Sequence, residues 1–564
     1  MPRENRKRGK KHKKKVEEEY PEPQAQHDEP EEQAEAGPSW IVSAPANDAY
    51  NDEAPFGYVD SEVKAYFRTV DVQIREWQDE PTQVAEDGES DPNEDRRLFF
   101  VAALTEMSGK EKELATDPDC STILERMAYS MDDFARRVFM DRLTGSYKTL
   151  VKHRFASHVC QTFLDVAGET ITRETRGILP PPPEDPEAGE LPLMSDMIPD
   201  ICEELLPDFT NLIMDPFASH VCRALLALLM PNIFATQQRA SVLRSKKSAA
   251  YKARQGPMKS LFNDKSESSK TVPQNFASLA ERLMKTVREK LSSNEVRALA
   301  ASPVASPVLQ MLLEIETVCD LSNQPDSLAD RVLDGLITRI HQGRMEDLEA
   351  SDYVGTLLRD PTSSHLLEAL VRRLPTEPFD VVWTVYLKPK LPRLSVHPVA
   401  NFVVGKALER VSGQQFADAC EELGPVSDKL FSQSRTGIIR ALVDRLATLP
   451  TAEQASTPKV IEMIKDGLGL SDSAEDEVFF IPCVLRLLSK EEYKKAKAKH
   501  AKHTEKDKEE DRTNRRHHRE PTADPMAPKT QGALILQSLL RLPAPHNQLV
   551  LDRYKVYIDA SWDS

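Results

Sequence analysis

The seven residues Phe155-Ala156-Ser157-His158-Val159-Cys160-Gln161 recur almost letter for letter later in the chain. The second copy reads Phe217-Ala218-Ser219-His220-Val221-Cys222-Arg223 and follows the first by 62 residues. Two nearly identical heptapeptides at such a distance are typical of tandem helical repeats. The search for further copies therefore decides the fold.

Shorter copies of the same pattern run through the rest of the chain. Their order is small, Ser or Asn, variable, apolar, apolar and polar, and the copies begin at Cys120, Ala156, Ala218, Ala305, Ser363, Ala400, Arg435 and Gly532. Where no insertion intervenes, the Ser or Asn positions are 36, 37 and 35 residues apart. That period suits a unit of two or three helices. The sequence predicts an all-α fold, an α-solenoid of helical repeats.

Composition agrees with many small stacked helices. Aromatic residues make up only 6% of the 564 residues, and charged residues make up 29%. A sheet protein would contain more aromatic and β-branched residues. The net charge of −17 argues at first against nucleic acid as a partner, but residues 3–15 carry nine Lys or Arg and residues 17–35 carry nine Asp or Glu. Because the charges are segregated along the sequence, their sum says little about the electrostatic potential at any one surface of the folded protein.

The charge runs and the repeats divide the chain into three parts. Residues 1–55 read as a disordered basic and acidic tail, whose basic run suits nuclear import or loose RNA contact. Residues 56–545 form the repeat domain, with polar insertions near 177–193, 236–275 and 490–530 that are expected to lie in loops. Residues 546–564 do not follow the repeat pattern, and we interpret this end as truncated.

Two helices are predicted before the first hexapeptide. The first covers 61–77 and places its apolar residues at helical spacing, namely Val63, Tyr66, Phe67, Val70 and Ile74. The second begins near Glu94 and is expected to turn these residues inward: Leu98, Val101, Ala102 and Leu104.

Catalytic, metal and membrane signals are missing from the sequence. The seven cysteines have no CxxC spacing, so we interpret them as buried apolar residues rather than zinc ligands or disulfides. No phosphate-binding loop, metalloprotease or nucleophile-elbow motif occurs in a usable context. No apolar run reaches the length of a membrane span. We therefore expect no enzyme activity, no cofactor, no bound metal and no membrane association.

Each hexapeptide predicts a core half and a surface half. The two adjacent apolar residues point into the core. We number the Ser or Asn as the first position, and expect the first, second and fifth positions to share one outward face. Stacked repeats would align these triplets, so that each holds one nucleobase: two side chains at its edge and one on its face. The alternative reading is a plain helix start, because Asp-Pro precedes the copies at 117, 215 and 360.

The hexapeptides at this spacing resemble Pumilio (PUF) repeats. The resemblance implies that the first and fifth positions contact base edges, namely Ser121/Glu125, Ser157/Gln161, Ser219/Arg223, Ser306/Gln310, Ser364/Glu368, Asn401/Gly405, Thr436/Arg440 and Ala533/Gln537. It implies stacking by the second positions, namely Thr122, His158, His220, Pro307, His365, Phe402, Gly437 and Leu534. In this family a Ser/Glu pair favours guanine and a Ser/Gln pair favours adenine.

Several positions depart from that code. Pro307, Gly437 and Leu534 are poor stacking residues, and Gly405 and Ala533 offer nothing to a base edge. Arginine at positions 223 and 440 can contact phosphate or stack instead. We therefore expect loose or shape-dependent RNA recognition rather than an eight-letter code.

The basic start, the segment 56–77 before the first repeat and the large insertions are similar to the nucleolar branch of the Pumilio proteins. That resemblance implies a C-shaped superhelix in the nucleus and nucleolus. It also implies a non-catalytic, monomeric factor that binds pre-ribosomal RNA, not DNA, within pre-40S or 90S particles and is needed for processing to 18S rRNA. The competing interpretation is a nuclear HEAT or armadillo scaffold that binds protein on its repeat face. Weakening of RNA binding with rising salt distinguishes the two.

Overall fold

A computed structural model describes residue 51 and residues 53–79, 92–178, 191–234, 271–344, 349–450, 456–471, 473–510, 526–544, 546–548 and 550–555. All of them belong to one unit, Asn51–Ser564. These ranges contain helices and turns and no β-strand. The predicted tail, most of the first two insertions and the end of the chain lie outside the described residues.

The helices of the first half are α1 (Ser61–Asp79), α2 (Pro92–Glu106), α3 (Glu111–Thr116), α4 (Pro118–Ser130), α5 (Asp133–Arg142), α6 (Tyr147–Leu150), α7 (Ala156–Thr175), α8 (Met194–Leu205), α9 (Phe209–Met214), α10 (Ala218–Leu229), α11 (Asn275–Lys290), α12 (Ser293–Ala301), α13 (Ser306–Val318), α14 (Leu328–Val332) and α15 (Leu336–His341).

Those of the second half are α16 (Asp352–Leu357), α17 (Ser363–Arg373), α18 (Thr376–Val382), α19 (Leu391–Val396), α20 (Ala400–Leu408), α21 (Gly413–Leu423), α22 (Ser427–Ser432), α23 (Thr436–Thr448), α24 (Thr457–Gly467), α25 (Ala474–Glu477), α26 (Phe480–Arg486), α27 (Lys490–Glu510) and α28 (Thr530–Leu540).

Within the described ranges, nine helices pack one against the next in chain order, and we call them the main row: α1, α4, α7, α10, α13, α17, α20, α23 and α28. Eight of them carry the hexapeptides, and α1 precedes these as an extra member. Most of the helices between them pack against members of the row. The predicted all-α solenoid is confirmed.

The apolar pair of each hexapeptide holds its helix in the stack. Val159 and Cys160 of α7 are 0% and 2% exposed, and Leu366 and Leu367 of α17 are equally buried. The small residue before the first position allows close packing. Gly532 is the tightest case, because a Cβ there would fall against the backbone carbonyl oxygen of Val484.

A capping side chain four residues before the first position starts most of these helices. Asp117, Asp215 and Asp360 accept hydrogen bonds from two backbone N–H groups each, at 2.8–3.1 Å. His153 and His397 do the same through Nδ1, at 3.1–3.3 Å. The Asp-Pro turns are therefore helix starts, as the alternative reading held. The cap lies three residues before the start of the hexapeptide and is not the hexapeptide's Ser.

Arginines tie successive repeats together through backbone carbonyls. Arg410 donates from Nη1 to the Val371 carbonyl and from Nη2 to the Leu374 carbonyl, both at 2.6 Å, where α17 ends. Arg445 donates to Val411 at 2.9 Å beyond α20. These bonds satisfy carbonyl groups that a helix end leaves without a partner. They are long-range contacts that the repeat pattern does not contain.

The first predicted helix is confirmed, since α1 spans 61–79 and buries Val63, Phe67, Val70 and Ile74. The prediction of which residues of α2 point inward was wrong. Leu98 and Val101 are 63% and 46% exposed, and Ala102 is exposed as well, whereas Leu104 is buried. The buried set is Phe100, Ala103, Leu104 and Met107. This set has the i, i+3, i+4, i+7 spacing of one helical stripe. Two apolar stripes compete on α2, and tertiary packing selects the second.

The prediction that the third insertion lies in a loop was also partly wrong. Its first 21 residues form α27 instead of a loop. A capping pair starts this helix, because Glu492 N–H donates to Ser489 Oγ and Glu492 accepts from Ser489 N–H at 3.0 Å. Tyr493 and Ala496 are buried at its start. Lys, Glu and Ala are strong helix formers, so this charge-rich stretch continues as helix.

Candidate nucleic-acid-binding face

The first position of the hexapeptide is buried rather than outward. Ser121, Ser157, Ser219, Ser306, Ser364, Asn401 and Thr436 are all between 0% and 5% exposed. The expectation that these side chains face outward is wrong. They are short side chains in the first turn of their helices, packed between neighbouring helices of the row. Ser121 donates to the Pro118 carbonyl, and Asn401 donates to His397 and Pro398 carbonyls.

The second position is the exposed one. Thr122, His158, His365, Phe402 and Gly437 are exposed, and Phe402 reaches 56%. His220, Pro307 and Leu534 are half-buried. This position is therefore exposed or half-buried on every hexapeptide helix, and it carries a flat ring at His158, His220, His365 and Phe402.

The fifth position lies at the edge of the same surface. Arg223 and Gln537 are exposed, whereas half-buried side chains occupy the others: Glu125, Gln161, Gln310, Glu368 and Arg440. Gln310 Nε2 donates to Ser306 Oγ at 3.4 Å, so the fifth position covers the first in α13. Gly405 and Ala533 offer no polar atom in their side chains, as the sequence indicates.

Two second-position rings already stack on each other. The ring centroids of His158 and His220 are 5.0 Å apart, and their planes differ by 17°. Burial, followed by the charges of His158 and Arg223, lowers the pKa of His220 to about 4. His220 is therefore neutral at physiological pH. The two stacked rings offer a surface on which a further flat ring can stack.

Polar capacity is unused around this ring pair. Ser157 Oγ and His220 Nε2 are buried and have no hydrogen-bond partner within the described part of the chain. Neighbouring protein atoms partly desolvate the exposed Arg223 side chain and lower its pKa, and Arg223 forms no ion pair with any described residue. Buried polar atoms in native proteins are nearly always satisfied, so such a group calls for an explanation. A polar ligand between α7 and α10 would satisfy all three side chains.

The fifth-position charges of α17 and α23 have partners. His365 Nδ1 and Glu368 Oε1 are 3.1 Å apart, and Arg440 Nε donates to Asp444 Oδ2 at 3.2 Å. Burial raises the pKa of Glu368 and of Glu125. These carboxylates sit in surroundings that favour a donor, which the edge of a base can supply.

The capping histidines His153 and His397 were missed by sequence reasoning. Alignment of the copies four residues upstream would have found them beside Asp117, Asp215 and Asp360. Among the described residues no group of His, Cys, Asp and Glu is arranged to hold a metal ion. In that same part of the chain, no helix combines the length and the apolarity needed to cross a bilayer.

A row of helices that presents one exposed, often flat residue per repeat, flanked by a polar one, defines a Pumilio-type repeat protein. The family model described as NOP9-like PUF repeat domain matches residues 109–557. The chain belongs to this family.

Its curated relatives are fungal proteins called Nucleolar protein 9. The one from Trichophyton verrucosum is 29% identical over 446 residues, which cover 74% of this chain and 58% of the relative. The one from Coccidioides posadasii is 26% identical over 88% of this chain and 63% of the relative. The chain thus spans about three fifths of the length of these relatives. A solved structure of APUM23-GGAAUUGACGG shares the fold, with a TM-score of 0.56 and 18% identity over 88% of this chain and 78% of that one.

Proposed function

We propose that this protein is a non-catalytic RNA-binding factor of the nucleolus that contacts single-stranded RNA through the second and fifth positions of its main row. Its RNA would be pre-ribosomal RNA of the small-subunit precursor, within pre-40S or 90S particles, and its role would be in processing to 18S rRNA. The nucleolar assignment draws support from the names of its relatives. The RNA target and the processing step extend the family resemblance.

One observation carries the proposal. Between α7 and α10 a stacked ring pair lies with two buried polar atoms and an arginine, and among the described residues these atoms have no hydrogen-bond partner and the arginine has no ion pair. A nucleobase supplies a flat face for the rings and a polar edge for His220, and it can satisfy the buried hydroxyl of Ser157 only by drawing that first position into contact. A nucleotide also supplies a phosphate for Arg223. A peptide groove needs no such combination of flat and polar groups at regular intervals.

A salt series on single-stranded RNA tests the proposal. Fluorescence anisotropy with a labelled oligonucleotide of mixed sequence should show binding at low salt that weakens as salt rises. Changing His158, His220 and His365 together to Ala should weaken this binding, since stacking contributes about 1–3 kcal/mol per base. Absence of RNA binding at low salt would leave the protein-binding scaffold as the better assignment.

The finer assignment needs a cellular measurement. Crosslinking of the protein to RNA in cells, followed by sequencing, should recover precursor segments of the small ribosomal subunit. The triple histidine variant serves as the matched control, because it keeps the core pairs of the three helices. Recovery dominated by unrelated messenger RNA would contradict the ribosomal role and leave RNA binding itself intact.

A further inference from the structure

Four basic side chains meet at the turns that lead into three successive helices of the main row, and we call them the basic rim. Arg359 lies before α17, Arg393 in α19 and His397 before α20, while Arg435 directly precedes α23. Burial lowers the pKa of His397, and the nearby charges of Arg359, Arg435 and Arg393 lower it further, in that order. Each of the three arginines therefore lies within electrostatic reach of His397.

The rim is held in place by backbone contacts. Arg435 Nε donates to the Val396 carbonyl at 3.2 Å, beside His397, and Arg359 Nε donates to the Gly355 carbonyl at 2.9 Å. His397 accepts two backbone N–H groups at Nδ1, so its proton sits on Nε2. Each guanidinium keeps further N–H groups for a ligand, because arginine has five.

The rim charges are not neutralised by the protein. No carboxylate forms an ion pair with Arg359, Arg393 or Arg435 across the ranges that the structure describes, whereas nearby Lys388 pairs with Asp418 at 2.6 Å. Asp360 is next to Arg359 in sequence, but its Oδ1 caps α17. In a chain with a net charge of −17, an unpaired basic cluster is unusual. Arg359 and Arg393 are exposed and Arg435 is half-buried, and unpaired arginines of this kind mark a site for an external anion.

Regular spacing identifies the kind of anion. Packed helices lie about 8–10 Å apart, so three successive turns of the row span roughly 20 Å. The helices that follow have 11, 9 and 13 residues, and their N-termini add positive potential at the same edge. Phosphodiester groups repeat at a constant interval, and arginine binds phosphate through two parallel N–H bonds. Carboxylates in an acidic peptide lack that regularity.

We propose that the basic rim binds the phosphodiester backbone of RNA, as a second contact surface separate from the second and fifth positions. This inference rests on the proposed RNA-binding function and deepens it. The rim lies about one helical turn from the second positions, since Phe402 follows His397 by five residues. A strand whose bases leave the main row, or a duplex segment next to it, can therefore reach the rim.

Salt dependence of RNA affinity tests the rim with the full chain. The rim variant changes Arg359, Arg393 and Arg435 to Gln. Its control changes Arg282, Lys285 and Lys459 to Gln, which removes the same positive charge from exposed, ion-paired residues of α11 and α24. The probes are a single-stranded 12-mer and a 16-base-pair RNA duplex. Melting temperatures show whether each variant folds.

Loss of three phosphate contacts should flatten the slope of log K against log salt by about 2 with one probe or both. Between 50 and 200 mM salt, wild type should then lose about sixteen-fold more affinity than the rim variant. The control triple should keep the wild-type slope. The probe that responds identifies the single strand or the duplex as the source of the phosphates.

Three results would overturn the inference. The rim variant could keep the wild-type slope with both probes while the histidine variant weakens binding, which leaves the proposed function standing. The control triple could flatten the slope as much as the rim variant, which would mark a general charge effect. Poly-glutamate could compete with RNA only when the rim is intact, while the rim variant keeps the wild-type slope of log K against log salt. That result would assign the rim to an acidic peptide. If wild type binds neither RNA, the proposed function fails together with the rim.

Discussion

Changing Phe402 to Ala should weaken single-stranded RNA binding more than changing His220 to Ala. Both residues occupy second positions of the main row. Phe402 is 56% exposed and has no ring partner among the described residues, so its whole face is open to a base. The His220 ring already stacks on His158, with 5.0 Å between centroids. A base that enters between these two rings must first separate them.

The geometry sets the size of the difference. A base between two parallel rings needs about 7 Å between the rings, twice the normal contact distance of about 3.5 Å. The observed 5.0 Å spacing therefore has to open, and the contact of the pair is lost, at a cost of about 0.5–1.5 kcal/mol. Stacking on a base contributes about 1–3 kcal/mol. Phe402→Ala should thus raise Kd about 5- to 150-fold, and His220→Ala only about 2- to 12-fold.

Fluorescence anisotropy at constant salt with a labelled single-stranded oligonucleotide measures both values. Phe134→Ala is the matched control, because Phe134 is 49% exposed on α5, outside the main row, and should leave Kd unchanged. Circular dichroism should give equal melting curves for all variants. A loss of RNA affinity for His220→Ala that equals or exceeds the loss for Phe402→Ala would refute the argument that the stacked histidine pair must open before a base can enter. A loss for Phe402→Ala no greater than that for Phe134→Ala would refute stacking at this position.

Three further predictions concern stability. Burial lowers the pKa of His397 below its ordinary value of 6.5, so the unfolded chain binds the proton more tightly and stability falls as pH drops below about 6.5. The variant His397→Asp should cap α20 as Asp360 caps α17, and its melting temperature should depend less on pH between 5 and 7. Val159→Asp places an unpaired charge at a site that is 0% exposed and should cost about 4 kcal/mol or more, seen as loss of cooperative unfolding in urea. Arg410→Ala removes two hydrogen bonds of 2.6 Å to carbonyls of the preceding repeat and should cost about 3 kcal/mol in urea denaturation, with Arg410→Lys intermediate.

The repeat pattern was sufficient to predict the solenoid, because the same local string recurs in every unit. Val159 and Cys160 are buried as their place in the pattern indicates, and the cysteines are mainly buried too. The face of α2 could not be predicted in this way, since Leu98 and Phe100 belong to competing apolar stripes on one helix. Nor could the bonds of Arg410, whose partners lie 36 and 39 residues away. Such contacts depend on the packed arrangement rather than on local spacing.

The burial of the first position changes what the row can discriminate. A bidentate contact to a base edge discriminates by about 1–3 kcal/mol, and two side chains per base are needed for a full code. With Ser157 and its equivalents buried, only the fifth position reaches the edge unless a bound base draws the first position into contact. Gln161 has an amide at the fifth position, whereas Arg223, at the fifth position of the next helix in the main row, has a cation suited to phosphate. Affinity should therefore depend mainly on stacking and on phosphate contacts. Preference for any one base should be largest at the helices that carry Gln161, Gln310 and Glu368.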